Sequence, residues 1–325
     1  MAVRKTGELG FADAAVADRA SKGSDDLAQI DRLVDWTPIE ALLSGLVKPK
    51  AKGEAAYPPL VLFKALLLQR WHGLSDPQLE AALSDRLSFL RFCGLSLEDR
   101  VPDHSTLWRF RQKLADSRLD EALMAQLDSQ LQDAGAVVRT GTLIDASLIR
   151  SAARRPLSPD GSKAQSAADP EANFGRGGVR GGFTFGYKLH IAVDQTAGLI
   201  RRLLLTPANR QEVSLAPELV QTGDGDVYGD RGYDAKALRE HLADLGLGDG
   251  LMHRARKDHP LDPDKAARNQ AIIPIRRPVE AVFGTLKRSY RLTRFTTFTQ
   301  DRNRTVLNLA AFAYNLRRWN ALAQA

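Results

Sequence analysis

The sequence has a single cysteine and no long apolar run, and each absence excludes a class of protein. With Cys93 alone, the chain cannot build an internal disulfide framework or a cysteine-rich zinc site, which favours a reducing compartment. No run of about 18 uncharged apolar residues is present, so we expect neither a membrane-spanning helix nor a membrane partner. The first residues, Met1 to Asp13, are charged and lack the apolar region of a secretory signal. We therefore expect a cytoplasmic protein.

Acidic residues are scarce in the last quarter of the chain, although the whole protein carries only +7. From Leu251 to Ala325 there are 15 Lys and Arg residues against 5 Asp and Glu, a net charge of +10, so the other 250 residues carry −3. Such a concentration of positive charge suits a polyanion, most often nucleic acid, because phosphate neutralisation releases counterions. A basic solvated surface is the alternative that charge alone leaves open.

The length of 325 residues corresponds to two domains of ordinary size. Because 43% of the residues are hydrophobic and 26% are charged, the chain can bury a sizeable core, and global disorder is excluded. The sequence predicts a flexible N-terminal segment over 1–28, a helical domain over 29–136 and a second domain over 137–325. Within the second domain, the Gly-, Ser- and Pro-rich residues 154–182 show no periodicity and predict a flexible loop.

Apolar residues in the first domain recur at spacings of three and four, which indicates helices. The segment Pro102–Thr106 opens one of them, in which Arg109 and Arg111 are interleaved with Trp108 and Phe110. This helix is a candidate for contact with DNA through its two arginines. Trp and Phe at this spacing are more typical of a helix that packs into a core.

The second domain begins with short apolar, β-branched segments that predict strands. The predicted elements are strands over 142–149, 185–194, 199–206 and 226–230, a helix over 213–220, and terminal helices over 278–289 and 305–323. The turn at Thr196–Gly198 joins the second and third strands into an antiparallel meander. Strand, strand, strand, helix, strand is the order of a ribonuclease H-like sheet. We therefore expect an α+β protein with a helical N-terminal domain and a mixed-sheet second domain.

Two aspartates of the second domain are candidates for chemistry. Asp145 is alone among apolar residues in Leu143–Ser147, and a carboxylate in a buried strand is costly unless it is paired or binds a metal. Asp230 follows the fourth strand, and carboxylates at the carboxyl ends of strands commonly line ligand sites. The structural alternatives are a loop-capping Asp at the first position and a turn or helix-capping Asp at the second.

Glu280 shares one face of a predicted helix with two cations. Arg276 precedes it by four residues and Lys287 follows it by seven, so at about 100° per residue the three side chains lie within about 40° of one another. Phe283 lies on the same stripe. An acidic residue flanked by cations suits a metal-binding carboxylate that meets DNA phosphates. The structural alternative is an i, i+4 salt bridge on a solvated helix.

Three carboxylates together would suit metal-dependent phosphoryl transfer. Two Mg²⁺ ions about 3.5–4 Å apart can activate a water or a 3′-hydroxyl and stabilise the leaving oxygen. Mg²⁺ takes hard oxygen ligands, often from very few carboxylates, with water and phosphates completing its coordination. We therefore predict Mg²⁺, with Mn²⁺ as a substitute, bound by Asp145, Asp230 and Glu280.

At these residues the sequence resembles the DDE transposases of bacterial insertion sequences, most closely the group typified by insertion sequence five. The resemblance covers nearly the whole chain, including the helical segment Tyr57–Leu114. Its catalytic motifs are Leu143–Ser147, Tyr228–Tyr233 and Arg276–Lys287, with the three acidic residues 85 and 50 positions apart. The signature around the Glu places a Tyr three positions before the Arg, where this sequence has Ile273.

The resemblance implies a transposase that binds double-stranded DNA at terminal inverted repeats and at a target. Cleavage would release a 3′-hydroxyl that attacks target DNA with no covalent protein intermediate. A homodimer or larger assembly on DNA is implied, because two element ends must meet, and the place is the nucleoid in a bacterial cytoplasm. The predicted DNA contacts are Arg109, Arg111, Lys188, Arg276, Lys287, Arg288, Arg291 and Arg294.

The sequence also allows other roles for two residues and other functions for the protein. Lys188 and His190 lie on the strand next to Asp145 and would face the site, or else belong to a partly exposed strand face. A metal-dependent nuclease of the same fold would cut DNA without joining it. A silent DNA-binding protein or repressor would bind DNA without needing the three carboxylates.

Overall fold

The computed structural model describes residues 3–14, 26–46, 55–137, 139–156, 165–177, 182–256 and 260–324. The chain divides into two compact units, one made of Met1–Asp133 with Thr305–Ala325 and the other of Ala134–Arg304. Parts of the predicted flexible segment 1–28 and of the predicted loop 154–182 lie outside the described residues. In the described part of the chain, no helix combines the length and the apolar character needed to cross a lipid bilayer.

The first unit consists of helices whose starts are set by local signals. Ser75 and Gln78 form a capping box, in which each side chain accepts a hydrogen bond from the other residue's backbone N–H. Asp103 caps a later helix by accepting the Thr106 N–H at 2.7 Å. The helices are Asp26–Leu33 (α1), Thr37–Leu43 (α2), Pro59–His72 (α3), Asp76–Asp85 (α4), Leu87–Cys93 (α5), His104–Ser117 (α6) and Asp120–Asp133 (α7), with a short 3₁₀ turn at Ser44–Leu46.

The second unit is built on a mixed six-stranded sheet. Its strands are Gly141–Arg150 (β1), Asn173–Arg176 (β2), Phe183–Asp194 (β3), Ile200–Pro207 (β4), Asp226–Gly229 (β5) and Gly248–Leu251 (β6). The strand β3 pairs antiparallel with β1, β2 and β4, whereas β1, β5 and β6 pair in parallel. The sheet therefore has the predicted antiparallel meander with a parallel extension, and the predicted α+β fold class is confirmed.

Helices cover this sheet. They are Ala216–Leu219 (α8), Lys236–Asp244 (α9) and Pro263–Arg288 (α10), and a 3₁₀ turn covers Arg231–Tyr233. Ile144, Val227 and Tyr233 belong to one buried cluster with Leu238 and Leu242 of α9. The long helix α10 packs on β1 and β5. The two middle strands of the sheet are thereby fixed next to α10, which carries the third predicted acidic residue.

The terminal helix, Gln300–Ala323 (α11), contributes its residues from Thr305 onward to the first unit. The Trp71 indole N–H donates to the Ala313 carbonyl at 2.7 Å, and the Phe63 and Phe312 rings meet edge to face with centroids 5.2 Å apart. The sequence prediction placed this helix with the second domain. Its apolar residues are buried around most of its circumference, so it behaves as a core helix of the helical unit.

Several elements of the second unit depart from the sequence prediction. The strand β2 lies inside the segment predicted as an irregular loop, and β6 and α9 were not predicted. The helix α10 begins at Pro263 rather than at Pro278, because Asp262 caps it by accepting the Lys265 N–H at 2.8 Å. Pro274 and Pro278 then lie inside the helix. Apolar packing of one face keeps the helix continuous through two residues that usually mark helix starts.

Candidate active site

Asp145 and Asp230 lie next to each other because of the register of two parallel strands. In this pairing Gly141 stands beside Asp226 and Leu143 beside Tyr228. If this register is continued two positions beyond the last paired residues, Asp145 falls beside Asp230, which directly follows β5, and the charge of Asp230 acts on Asp145. Adjacent strands lie about 4.8 Å apart, so this register places the two carboxylates near each other, where β5 ends beside the middle of β1.

Asp145 is held by a cation and a backbone N–H. Its Oδ2 accepts from the Arg276 guanidinium at 3.1 Å, and its Oδ1 accepts the Ala146 N–H at 2.7 Å. Burial raises the pKa of Asp145 to about 6, and Arg276 opposes that rise. The charges of Asp230 and Glu212 raise the pKa further. Asp145 therefore lies in a confined acidic pocket whose nearest counter-charge is Arg276.

Asp230 caps the 3₁₀ turn that follows β5. Its Oδ1 accepts the Gly232 N–H at 2.7 Å. A Cβ added at Gly232 would lie 2.8 Å from that oxygen and 3.2 Å from Glu212 Oε2. Only glycine fits here without displacing a carboxylate, because real Cβ atoms essentially never approach as closely as 2.8 Å. The Asp-Arg-Gly sequence is thus explained by close packing of two acidic side chains around one backbone position.

Glu280 occupies a different environment. Its side chain is exposed on α10, and it has no hydrogen bond or ion pair with any residue that the structure describes. On the same helix Arg276 and Phe283 are buried and Lys287 is half-buried, so Glu280 lies at the solvent edge of the predicted stripe. Within the described residues, no group of three or more His, Cys, Asp or Glu side chains is arranged to hold a metal ion. The structure thus brings together two of the three predicted carboxylates.

Lys287 extends toward the site from the end of α10. Burial lowers the pKa of Lys287, and the charge of Asp145 opposes that decrease. It lines a cavity of about 400 Å³ next to Ala146 and Ser147. Four cationic side chains and one carboxylate contribute to the wall, namely Arg150, Arg176, Lys188, Lys287 and Glu212. This cavity has the size and charge to take an anionic ligand beside Asp145.

The two basic positions on β3 have different surroundings. In the pairing with β1, Lys188 stands opposite Leu148 and His190 opposite Ala146, so both project from the face opposite to Asp145. Lys188 Nζ nevertheless reaches Glu212 Oε1 at 3.1 Å and the Arg210 carbonyl at 3.0 Å.

The imidazole of His190 belongs to the core. It is buried, and its Nε2 lies 3.0 Å from Thr206 Oγ1. Burial and the neighbouring Lys188 lower the pKa of His190 to about 4. His190 is therefore neutral at pH 7 and packs inside the sheet.

The other predicted DNA contacts fall into two groups. Arg109, Arg288 and Arg291 have exposed side chains. Arg111 instead bonds to Asp76 and to Gln69 Oε1, the latter at 3.1 Å. The guanidinium of Arg294 donates to the carbonyls of Ser151 and Ala152 at 3.0 Å and 2.7 Å. Hence Arg111 and Arg294 already hold the fold together, whereas the exposed group is available to phosphates.

Sequence reasoning missed two residues of this region, Glu212 and Tyr233. Glu212 follows β4 in a polar stretch without a motif, and only its contact with Lys188 and its proximity to Gly232 mark it. Tyr233 was seen as part of a motif but was given no role. Both are recognised only when separate segments come together.

Two family models match successive parts of the chain. Residues 138–316 match the family described as Transposase DDE domain, which is more than half of the chain. Residues 15–113 match the family described as Transposase domain (DUF772). The first match covers Asp145, Asp230 and Glu280, and the second covers most of the helical unit.

Proposed function

Since this chain belongs to the DDE transposase family, we propose that it cuts DNA at the terminal inverted repeats of an insertion sequence and joins the ends to target DNA. The observation that carries this proposal is the pair of aspartates on adjacent parallel strands, with Asp145 in the middle of β1 and Asp230 directly after β5. Membership of the insertion sequence five group is part of the proposal and rests on the sequence motifs.

In this proposal Asp145 and Asp230 hold divalent metal. Both present carboxylate oxygens, the ligand atoms that Mg²⁺ and Mn²⁺ prefer. Because Gly232 has no Cβ, the carboxylates of Asp230 and Glu212 can both approach this backbone position. When bound, the metal supplies an activated water or 3′-hydroxyl and stabilises the leaving oxygen. Arg276 opposes the rise in the pKa of Asp145 that burial causes, and it orients the carboxylate through its 3.1 Å contact.

The cations near the pair would hold the DNA backbone. Lys287 and Lys188 line the cavity beside β1, and Arg276 lies against Asp145. Arg288 and Arg291 are exposed next to the end of α10. Phosphates that enter the cavity meet four cationic side chains, and this favours binding in a fixed orientation before the strand is cut.

Glu280 is the proposed third carboxylate. The support is the Arg276–Lys287 motif and the position of Glu280 one turn from Arg276 on α10. Because its exposed side chain has no partner among the described residues, it can turn toward the pair without breaking an existing contact. The proposal thus includes a local rearrangement of Glu280 when DNA and metal bind, on an assembly with two or more copies of the chain.

The test is cleavage and joining of a labelled duplex that carries the element's own ends, with Mg²⁺ added last. Wild type is expected to produce joined product, and Glu280→Gln and Asp145→Asn are expected to lose it by at least about a thousandfold, because metal ligands act as a unit. Glu218→Gln, an exposed acidic change on α8, is the matched control.

Other outcomes of this assay would contradict the proposal in different ways. Cleavage without joining would replace the proposal with a nuclease. Binding of the ends with equal inactivity in wild type and Glu280→Gln would replace it with a silent DNA-binding protein. Full activity of Glu280→Gln would remove Glu280 from the site.

A further inference from the structure

The hydroxyl of Tyr233 is buried without a hydrogen-bond partner in the described part of the chain. The residue has 0% exposure, and its ring packs against Gly229 at the end of β5. Buried hydroxyls nearly always have a partner, so an orphan of this kind marks a place where a further group belongs. The carboxylates of Asp145, Glu212 and Asp230 all act on it electrostatically, so it lies in an acidic environment.

Glu212 converges with Asp230 on the same backbone position. The position that a Cβ would take at Gly232 lies 3.2 Å from Glu212 Oε2 and 2.8 Å from Asp230 Oδ1. The two carboxylate oxygens therefore lie at most about 6 Å apart. The charges of Asp230 and Glu212 both act on Asp145, so carboxylates from three separate segments lie near one another.

Each of these carboxylates is bound to a group that a cation can replace. Asp145 has Arg276, Asp230 has the Gly232 N–H, and Glu212 has Lys188 at 3.1 Å. Lys188 also donates to the Arg210 carbonyl and lines the cationic cavity, so it keeps partners when Glu212 turns away. The group of three is not closed around one point in the structure. A divalent metal would therefore have to draw the carboxylates together or to reach one of them through a metal-bound water.

We propose that Glu212 is a further carboxylate of the divalent-metal site formed with Asp145 and Asp230. It exchanges Lys188 for the metal or for a metal-bound water, and Lys188 is released toward phosphates in the cavity. The Tyr233 hydroxyl then donates to one of the carboxylates and fixes its orientation. This inference rests on the proposed function for the presence of a metal, and it adds a residue to that site rather than replacing Glu280.

The experiment measures Mn²⁺ binding to the full-length protein without DNA, by titration with detection of free Mn²⁺ by electron paramagnetic resonance. The variants are Glu212→Gln and the control Glu218→Gln, which removes an exposed carboxylate six residues away. We expect Glu212→Gln to weaken Mn²⁺ affinity by about tenfold or more, and the control to match wild type. Equal affinity in Glu212→Gln and wild type would overturn the assignment, and so would a wild type that binds no Mn²⁺.

A second variant keeps the test valid if Glu212→Gln does not fold, as judged by circular dichroism. Glu212→Asp keeps the charge and the Lys188 pairing but is one methylene shorter, so we expect several-fold weaker Mn²⁺ binding; unchanged affinity would overturn the assignment. The result is separable from the test of transposition. If wild type is inactive in transposition but the Glu212 variants bind Mn²⁺ more weakly than wild type does, the result supports Glu212 and contradicts the proposed function. If wild type is active and both Glu212 variants bind Mn²⁺ with unchanged affinity, the result supports the proposed function and contradicts the role of Glu212.

Discussion

Asp145 shows how one carboxylate can be largely shielded from solvent and still be ready for chemistry. It lies in a strand among apolar residues, where burial disfavours its charge, and Arg276 offsets only part of that cost. A carboxyl group with a pKa of about 6 is a typical feature of a functional site, because the fold tolerates a destabilising charge there. Divalent metal would remove that cost by adding positive charge next to both aspartates.

In the metal-free protein, we expect the free energy of unfolding to depend on pH through Asp145. The pKa of Asp145 is raised from 3.8 to about 6 on folding, so the folded state holds the proton more tightly than the unfolded state. The resulting stabilisation is present below pH 3.8 and is lost as the pH rises to about 6. Asp145→Asn lacks this loss, so its stability relative to wild type should increase between pH 4 and pH 6 by up to about 3 kcal/mol.

Urea unfolding of both proteins at a series of pH values measures this difference. Glu218→Gln serves as the control, because its exposed carboxylate should give a nearly constant difference from wild type. A constant difference between Asp145→Asn and wild type over the same range would mean that Asp145 does not hold its proton more tightly in the folded state.

At the scale of elements, the helix α6 separates two arginines that look equivalent in the sequence. Arg109 is exposed on its surface, and its Nη2 donates to Ser105 Oγ at 3.0 Å. Arg111, two residues later, points toward α4 and bonds to Asp76 and Gln69. A helix turns by about 200° over two residues, so one arginine faces solvent and the other faces the helical core.

Substitution of the two arginines should therefore have opposite effects. Arg109→Ala should change the free energy of unfolding by less than about 0.5 kcal/mol and weaken DNA binding by about 1–3 kcal/mol. Arg111→Ala should remove the ion pair of Asp76 in a partly buried site, where only the charge of Arg70 remains, and destabilise the unit by about 3 kcal/mol.

Thermal unfolding and fluorescence anisotropy on the element's ends separate the two effects, since each variant is the other's control. If Arg109→Ala binds DNA as wild type does, α6 is not part of the DNA interface. If Arg111→Ala is as stable as wild type, the Asp76 contact contributes nothing to the fold.

At the scale of the whole molecule, the last helix belongs by packing to the first unit and by sequence to the end of the second. Its residues Phe312 and Ala313 complete the environment of Phe63 and Trp71. Residues far apart in the chain thus form one core. Loss of this segment would expose large apolar side chains of α3 to water.

Deletion of Thr305–Ala325 should therefore unfold the helical unit while the sheet unit keeps its structure. Near-ultraviolet circular dichroism should lose the signal of Trp71, and limited proteolysis should cut within residues 55–133 and spare the segment 183–252. The substitution Phe312→Ala is the milder variant, with an expected destabilisation of about 3–5 kcal/mol. Equal protease resistance of the truncated and full-length helical units would contradict the shared core.

Much of the fold and part of the candidate site followed from the sequence. The long antiparallel strands β1, β3 and β4 carry clear period-two or apolar patterns, so local propensity was enough to find them. The strands β2 and β6 have only four residues each, and two of the four in β6 are glycine. Such short segments form strands only because a neighbouring strand supplies hydrogen bonds. The start of α10 was misplaced because Pro278 imitates a helix start, whereas buried packing kept the helix continuous.

The sequence by itself determined the family and the α+β class, and it made Asp145 and Asp230 candidate site residues, because these depend on local motifs and on strand order. Only the tertiary structure decided that the two aspartates lie close enough for their charges to interact, that Arg111 and Arg294 serve the fold, and that Glu212 and Tyr233 lie near the two aspartates. The physical reason is that a motif records the chemistry of one segment, whereas electrostatic and packing partners come from segments that meet only after folding. Burial, charge pairing and the space around Gly232 exist only in that folded arrangement.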